Sequence, residues 1–282
     1  MARPGIRPAR EGAALRFLYG HASGRAVLKL LSSRPVSQAA GRFMDSPLSR
    51  PLIGPFIRKN AIRMADYLPL PYACFNDFFC RPIRRELRPM PDEGEAFPAP
   101  CDGYLSAYRI SGDLVLPIKQ SRYSVAELLD GDPAAKSFRD GVCLVFRLCV
   151  QHYHRYCYPD AGKILKRRFV PGELHTVRPI DLAALPVFTR NCRELTLMET
   201  AHFGPLCQVE VGAMLVGRIE NYKGAGVAFR RGEEKGRFLY GGSTVVLLLQ
   251  KDRIALEEAF FENTAQGLET TVRLGEVLGR AL

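Results

Sequence analysis

Apolar and polar positions follow a helical pattern in the first quarter of the chain and a strand-like pattern in most of the rest. From Gly12 to Ser32, apolar residues recur at nearly helical spacing among basic residues, which predicts a basic amphipathic helix. Four prolines, at positions 35, 47, 51 and 55, then divide the chain into short helical pieces that end near Leu68. We expect residues 1–11, which are rich in Pro and Arg, to be disordered.

A linker, Leu68-Pro69-Leu70-Pro71, precedes the strand-rich part of the chain. From about Pro98, short β-branched or alternating segments are separated by Gly, Asp and Pro. This pattern predicts antiparallel strands at 103–110, 142–150, 163–170, 193–200, 206–219 and 238–250. A helical segment from Val125 to Leu129 interrupts them, and a mixed helical pattern returns from Glu257 to the end. The predicted fold class is therefore α+β, with basic N-terminal helices followed by a mainly antiparallel β body.

The net charge of +11 is concentrated near the N-terminus. Residues 1–60 contain eleven basic and two acidic residues, and therefore carry a net charge of +9. This excess indicates an anionic partner, either membrane lipid or nucleic acid. The predicted helix from Gly12 to Ser32 fits an anionic bilayer, and it fits equally well a helix that packs on its own core with a solvated basic face. The best apolar run, 142–150, is short and contains Arg147, so it predicts a buried strand and no membrane span.

The eight cysteines form no C-x-x-C pair and show no zinc-type spacing with histidine. Most lie in apolar stretches, where a free cysteine behaves as a small hydrophobic residue. We therefore expect free thiols in a reducing compartment, and no metal site.

The tetrapeptide Gly241-Gly242-Ser243-Thr244 interrupts a strand-like segment. Glycines weaken a strand interior and usually mark a bulge or a close backbone approach, so a bulge beside a buried serine explains the tetrapeptide by itself. The alternative is chemical: Ser243 attacks the Gly242 carbonyl and converts the peptide bond to an ester. Elimination and hydrolysis then leave a pyruvoyl group on residue 243.

Three other segments carry chemically useful residues. Asp102 lies in the turn Pro100-Cys101-Asp102-Gly103, and His152 and His154 directly follow the predicted strand 142–150. The third segment, 209–219, contains two glycines that allow close backbone approach. Each segment also has a structural explanation, as a turn residue, surface histidines or tight sheet packing.

Taken together and in this order, these segments resemble the phosphatidylserine decarboxylase family. The resemblance also includes Phe75-Asn76-Asp77-Phe78-Phe79-Cys80-Arg81 and Pro171-Gly172-Glu173-Leu174, and it covers nearly the whole chain. It implies a proenzyme that cuts itself at Gly242-Ser243 into a β chain (1–242) and an α chain (243–282). The α chain then begins with the pyruvoyl group, the only cofactor expected, with no metal or diffusible cofactor.

The chain departs from the family motif at two positions. The family usually has Asp-Tyr-His-Arg-x-His-x-Pro, whereas here His152 stands in place of the Asp and Cys157 in place of the second His, the usual processing base. When the family's catalytic positions are transferred to this sequence residue by residue, the candidate catalytic residues are Asp102, His154 and Ser243. His152 and Cys157 are auxiliary candidates. We predict that His154 is the processing base, because an unperturbed thiol accepts a proton poorly near neutral pH.

The resemblance further implies a carboxy-lyase that converts phosphatidylserine to phosphatidylethanolamine, as a peripheral protein on the cytoplasmic face of a membrane. Residues 1–68 are then a basic, membrane-associating helical segment, and residues 69–282 a β-rich catalytic domain. The partners expected are phosphatidylserine, an anionic membrane surface and the two cleaved chains, with a homodimer left open and no nucleic acid.

Three alternative functions stay open from the sequence. The same fold and chemistry suit another aminoacyl lipid or a soluble amino acid. A serine hydrolase would use Ser243, His154 and Asp102 as a triad, although the chain has no G-x-S-x-G elbow. A nucleic-acid-binding protein would explain the charge of +11 but would leave the glycine-serine site unused.

Overall fold

The structure is a computed structural model of the 282-residue chain. It describes residues 3–8, 17, 21, 23–24, 27, 34–111, 115–118, 121–172, 187–212, 218–240 and 243–282. The predicted helix from Gly12 to Ser32 therefore lies mostly outside the described residues. Gly241 and Gly242 also lie outside them, as do residues 173–174 and 213–217 of the family motifs.

The N-terminal part consists of short helices, as the prolines predict. They are α1 (Arg34–Asp45), a 3-10 helix (Pro47–Leu52), α2 (Ile53–Lys59), a 3-10 helix (Met64–Asp66), α3 (Phe75–Phe79) and a 3-10 helix (Arg85–Leu87). Their apolar side chains share one cluster, which joins Ile62 and Tyr67 to Phe75, Phe78 and Tyr153. The cluster therefore includes residues on both sides of the linker and one from the β body.

The described residues contain seventeen strands, all but the first of which lie after Glu95. They are β1 (Gly5–Ile6), β2 (Ala96–Pro98), β3 (Gly103–Arg109), β4 (Val115–Ile118), β5 (Ser121–Ser124), β6 (Val142–Leu148), β7 (Arg155–Cys157), β8 (Gly162–Val170), β9 (Arg193–Thr200), β10 (Gly204–Val211), β11 (Ile219–Asn221), β12 (Ala228–Phe229), β13 (Glu234–Phe238), β14 (Ser243–Leu249), β15 (Ile254–Leu256), β16 (Glu269–Val272) and β17 (Val277–Ala281). Three more helices are α4 (Val125–Leu128), α5 (Val187–Arg190) and α6 (Glu258–Ala265).

Nine of these strands form one antiparallel sheet in the order β1-β16-β3-β6-β14-β10-β9-β8-β12. Strand β14 lies in the middle, with Ser243 opposite Leu148 of β6 and Thr244 opposite Val211 of β10. Two three-stranded sheets, β11-β13-β7 and β15-β17-β2, accompany it. The predicted α+β class with an antiparallel β body is thus confirmed.

The two faces of the large sheet are buried in different apolar clusters, because alternate residues of a strand point to opposite faces. Val245, Leu247 and Leu249 of β14 pack with residues of the two small sheets, among them Tyr156 and Phe238. On the other face, Val246 and Leu248 pack against α4 and the 3-10 helix Pro133–Phe138. Ser243 alternates with Val245 and Leu247, so it lies on the face that is covered by the small sheets.

Two expectations from the sequence are wrong. Residues 1–11 were expected to be disordered, but Gly5 and Ile6 form an edge strand against β16, and Arg3 pairs with Glu257 at 2.6 Å. After Glu257 the chain forms only one helix, α6, and then returns to strands β16 and β17. In both cases, a strand forms because a distant part of the chain supplies its hydrogen-bonding partner, which local periodicity does not reveal.

None of the eight cysteines, all of which are described residues, forms a disulfide, as predicted. Among the described residues, no helix is long and apolar enough to span a bilayer.

Candidate active site

Ser243 is the first residue of β14 and is fully buried. Its Oγ has no hydrogen-bonding partner among the residues that the structure describes. A buried hydroxyl without a partner costs about 1–3 kcal/mol, because it has lost its hydrogen bonds to water without replacement. Its side chain therefore does not stabilise the fold through hydrogen bonding, and it is free to react.

His154 precedes β7 and is also fully buried. Its Nδ1 lies 2.9 Å from the His152 carbonyl oxygen, and its ring packs on Phe79 with centroids 4.0 Å apart. Because a carbonyl can only accept, Nδ1 carries the proton in the neutral ring, and Nε2 is then a bare acceptor. That Nε2 is buried and has no partner within the described ranges of the chain. His154 is thus oriented as a proton acceptor.

The pKa of His154 is held well below its ordinary value, mainly by burial and then by the positive charge of Arg81, with His152 adding to the shift only in solutions acidic enough to protonate it. The imidazole is therefore neutral near pH 7. The neutral ring has the protonation state that a general base requires.

The segment that leads to Ser243 is fixed by α3 and the residues after it. The Asn76 Oδ1 accepts a hydrogen bond from the Tyr240 backbone N–H at 2.8 Å, and the Cys80 thiol donates to the Phe238 carbonyl at 3.1 Å. The Tyr240 ring packs on Phe75 and Phe79, with centroids 5.0 and 5.3 Å apart. The motif 75–81 therefore holds the chain immediately before Gly241.

His154 also contacts this segment, because its carbonyl accepts a hydrogen bond from the Phe238 N–H at 3.0 Å. The structure thus brings together three parts of the sequence: motif 75–81, the histidine pair and the residues before the glycine-serine site. The sequence identified motif 75–81 by resemblance only, and its contact with Tyr240 was missed.

The hydrogen-bonding partners of Asp102 are not those of His154. Arg88 donates to both of its carboxylate oxygens, at 2.7 and 2.6 Å, and the Leu274 N–H donates to Oδ1 at 2.9 Å. No hydrogen bond joins Asp102 to His154, both of which are among the described residues. Arg88 was missed as its partner; the sequence showed it only as one of several basic residues.

Of the two histidines, it is His152 that the Asp102 charge influences. The His152 Nδ1 accepts a hydrogen bond from the Cys149 N–H at 3.0 Å, and its ring lies against Tyr104. Burial lowers the pKa of His152 to about 4, with Asp102 opposing the shift and Arg147 adding to it. His152 is therefore neutral near pH 7, and its Nδ1 is already engaged.

Cys157 is buried in β7, and its N–H donates to the Pro100 carbonyl at 2.9 Å. Burial raises the pKa of its thiol far above the ordinary value. A thiol in this environment stays protonated near neutral pH and is a poor base. Within the described parts of the chain, no cluster of three His, Cys, Asp or Glu side chains could hold a metal ion.

Comparison with known proteins gives the same family throughout. The family model described as "Phosphatidylserine decarboxylase" matches residues 75–280. The phosphatidylserine decarboxylase proenzyme 2 of Clostridium acetobutylicum is 40% identical, over 94% of this chain and 91% of that protein. The phosphatidylserine decarboxylase proenzyme of Ruminiclostridium cellulolyticum is 35% identical over 98% and 94%. That of Clostridium perfringens strain SM101 is 36% identical over 94% and 92%.

The class to which the fold and the site point is a carboxy-lyase made as a proenzyme. Because a family model matches well over half of the chain, and relatives are similar along nearly all of it, the chain belongs to the phosphatidylserine decarboxylase family.

Proposed function

We propose that this proenzyme cuts itself between Gly242 and Ser243 and then decarboxylates phosphatidylserine to phosphatidylethanolamine. The observation that carries the proposal is the pair of buried, unpartnered acceptor atoms, Ser243 Oγ and His154 Nε2, near a chain segment that Asn76 and Cys80 hold in place. Self-cleavage needs both a hydroxyl and a base, and these two atoms supply them at the predicted cleavage bond and beside the segment that precedes it.

In the proposed cleavage, His154 Nε2 takes the proton of Ser243 Oγ, and the oxygen bonds to the Gly242 carbonyl carbon. The bond from that carbon to the nitrogen of residue 243 breaks, and the nitrogen takes up a proton to become a free amine. Loss of the Cα proton then breaks the Oγ–Cβ bond, and Gly242 leaves as a carboxylate. Water adds to residue 243 and ammonia leaves, which yields a pyruvoyl group.

A buried serine at the start of a strand, beside apolar walls, fits a pyruvoyl group at position 243. Its carbonyls supply an electron sink for the electrons released with CO₂. The surrounding apolar side chains exclude water from the reacting carboxylate, which favours dispersal of its charge. His154 then supplies the proton that replaces CO₂.

The two chains, residues 1–242 and 243–282, are proposed to stay together after cleavage. Strand β14 belongs to the new α chain and pairs with β6 and β10 along its length, both of which belong to the β chain. Strands β16 and β17 pair with β3 and β2 in the same way. Removing β14 would expose the centre of the large sheet, so dissociation is strongly unfavourable.

The function is tested by incubating the purified protein with phosphatidylserine in mixed vesicles and measuring phosphatidylethanolamine and CO₂. Free serine and phosphatidylthreonine are assayed in parallel. Release of CO₂ from either would show that the enzyme also accepts a soluble amino acid or another aminoacyl lipid. A fluorophosphonate probe tests the serine hydrolase alternative: labelling of Ser243 in the active protein would contradict a pyruvoyl group there.

The hydrogen bond from the Tyr240 N–H to the Asn76 side chain should affect the rate of self-cleavage. Asn76→Ala removes the acceptor of a buried N–H next to the cleavage site, and we expect self-cleavage to slow by about tenfold, since about 1–3 kcal/mol of positioning energy is lost. Asn60→Ala is the matched control, because the Asn60 side chain also bonds a backbone group of the helical part, the Phe56 carbonyl, and makes no hydrogen bond to Tyr240, which is likewise a described residue. Equal slowing in both variants, followed on a denaturing gel, would contradict the role of Asn76.

We further propose that residues 1–68 associate with an anionic membrane surface. Exposed apolar residues Phe43, Leu48 and Leu52 stand beside exposed basic residues Arg42 and Arg50. Apolar side chains that enter the bilayer, next to cations that attract anionic head groups, are typical of a peripheral membrane protein.

Leu48→Ser should weaken co-sedimentation with vesicles that contain phosphatidylserine. Burying a leucine contributes about 1.5–3 kcal/mol, so a loss of about tenfold or more in apparent affinity is expected. Leu282→Ser is the control, because Leu282 is 76% exposed and Leu48 77%. Raising the salt concentration should weaken binding further through the basic residues. Unchanged binding of Leu48→Ser would contradict the role of this surface in membrane association.

A further inference from the structure

Arg81 is a buried cation without a carboxylate partner. Its side chain is fully buried, and among the described residues no Asp or Glu forms an ion pair with it. Its Nη atoms donate only to neutral oxygens, those of Phe78, Tyr67 and Gln151, at 3.2–3.3 Å. Its Nε has no acceptor in the part of the chain that the structure describes. The guanidinium therefore keeps donor capacity and a positive charge that no described carboxylate balances.

The other buried cations among the described residues have hydrogen-bonding partners at ordinary distances. Arg147 pairs with Glu269 at 2.5 Å and Lys235 with Glu210 at 2.8 Å. Arg193 also lacks an ion pair, but its three nitrogens donate to the carbonyls of Leu128, Thr189 and Glu127 at 2.6–2.8 Å. The bonds of Arg81 are longer than the usual N–H···O distance of about 2.9–3.0 Å. The stacking of its guanidinium on the rings of Tyr67 and Phe78 offsets only part of the charge.

Arg81 and His154 contact neighbouring residues of the same two segments, 78–79 and 151–152. Arg81 donates to the carbonyls of Phe78 and Gln151, while His154 packs on Phe79 and bonds the carbonyl of His152. The Arg81 charge also contributes to the lowered pKa of His154. The free donor of Arg81 therefore lies in the same buried region as the proposed proton donor of the reaction.

We propose that Arg81 binds the phosphodiester of the lipid head group in the active site, an inference that rests on the proposed function. In phosphatidylserine the phosphorus is three bonds from the carbon that loses CO₂, so a cation that holds the phosphodiester has to lie close to the group that protonates that carbon. A guanidinium binds phosphate oxygens through charge-assisted hydrogen bonds, and the free Nε–H of Arg81 is a donor for one of them.

The phosphodiester is favoured over the substrate carboxylate for an energetic reason. The carboxylate loses its negative charge as it becomes CO₂, so an ion pair with Arg81 would stabilise the ground state more than the transition state and would slow the reaction. The phosphodiester keeps its charge throughout. Arg81 then contributes equally to binding of the ground state and of the transition state, which lowers KM and leaves kcat unchanged.

The test uses the self-cleaved full-length enzyme and short-chain phosphatidylserine. Arg81→Gln should raise KM by about 30-fold or more, the effect of removing one partner of a buried charged pair, with kcat changed by less than about threefold. Arg81→Lys should recover part of the loss. Glycerophosphoethanolamine, which has the phosphodiester but no carboxylate, should lose affinity as an inhibitor in parallel with the rise in KM. Arg193→Lys, the control for a buried arginine, should lower thermal stability and leave KM unchanged.

Several results would overturn the inference. Unchanged inhibition by glycerophosphoethanolamine, with a raised KM, would assign Arg81 to the carboxylate. A lowered kcat at constant KM, or loss of self-cleavage in both Arg81→Lys and Arg81→Gln, would assign it to shaping the site. The proposed function fails separately, if the unmodified protein releases no CO₂ from phosphatidylserine. Binding of glycerophosphoethanolamine that depends on Arg81 would in that case still support the anion site.

Discussion

Replacing Ser243 by alanine is expected to leave one uncut chain of 282 residues without decarboxylase activity. Alanine has no hydroxyl to attack the Gly242 carbonyl, so neither the ester nor the pyruvoyl group can form. The unmodified protein should instead give two chains, of 242 and 40 residues, as seen by intact mass and on a denaturing gel.

The loss should not come from misfolding. The Ser243 hydroxyl is buried without a hydrogen bond, so its removal breaks no stabilising contact and relieves an unpaired polar group. Thr244→Val is the matched control, since Thr244 is the neighbouring buried residue and its hydroxyl is also without a partner. This variant should still be cut. Cleavage of Ser243→Ala at the same bond would show that the proposed chemistry is wrong.

Local sequence signals predicted many of the elements of this fold. Strand β9 has the predicted bounds, 193–200, because its alternating and β-branched residues suit a strand on both faces. Helix α4 begins at a capping box, in which the side chains of Ser124 and Glu127 each bond the other's backbone N–H. In both cases the determining interactions lie within a few residues of each other, where a sequence pattern can record them.

The arrangement of the site depends on contacts that no local pattern records. Asn76 and Tyr240 are 164 residues apart, and Leu274 and Asp102 are 172 apart. Through the family resemblance, the sequence grouped Asp102 and His154 as candidate catalytic residues, because it shows which residue types are present and not which ones meet. Strand β1 was missed for the same reason, since its hydrogen bonds come from β16 near the other end of the chain.

Removing His154 is expected to slow self-cleavage by about 10²–10⁴-fold, the usual contribution of a general base. His154→Ala leaves Ser243 without the bare nitrogen that would take its proton. Cys157→Ser should be cut normally, because burial keeps the Cys157 thiol protonated. The fraction cleaved against time on a denaturing gel measures both variants. Normal cleavage of His154→Ala with none in Cys157→Ser would reverse the assignment.

Removing the Asp102 carboxylate should slow self-cleavage less than removing His154, because Asp102 acts through its ion pair with Arg88. Asp102→Asn should slow cleavage if the turn that it holds supports the site, and Arg88→Gln should then have the same effect, because each removes the same ion pair. In the double variant the two effects should not add. Additive effects would mean that Asp102 acts on the reaction independently of Arg88.

The pH dependence of cleavage distinguishes the two candidate bases by its direction. A base acts in its unprotonated form. The pKa of His154 is lowered by burial and by the facing charge of Arg81, while His152 contributes only where its own ring is protonated and Phe79 is an uncharged neighbour. The cleavage rate should therefore be constant from about pH 8 down to about pH 6, below the ordinary midpoint of histidine near 6.5, and should fall only in more acidic solution. A thiol base with a raised pKa predicts the opposite, a rate that rises steadily through the alkaline range. Because the folded state determines these pKa values, a rate profile with a midpoint near 6.5 would mean that the base is a solvent-accessible histidine and not His154.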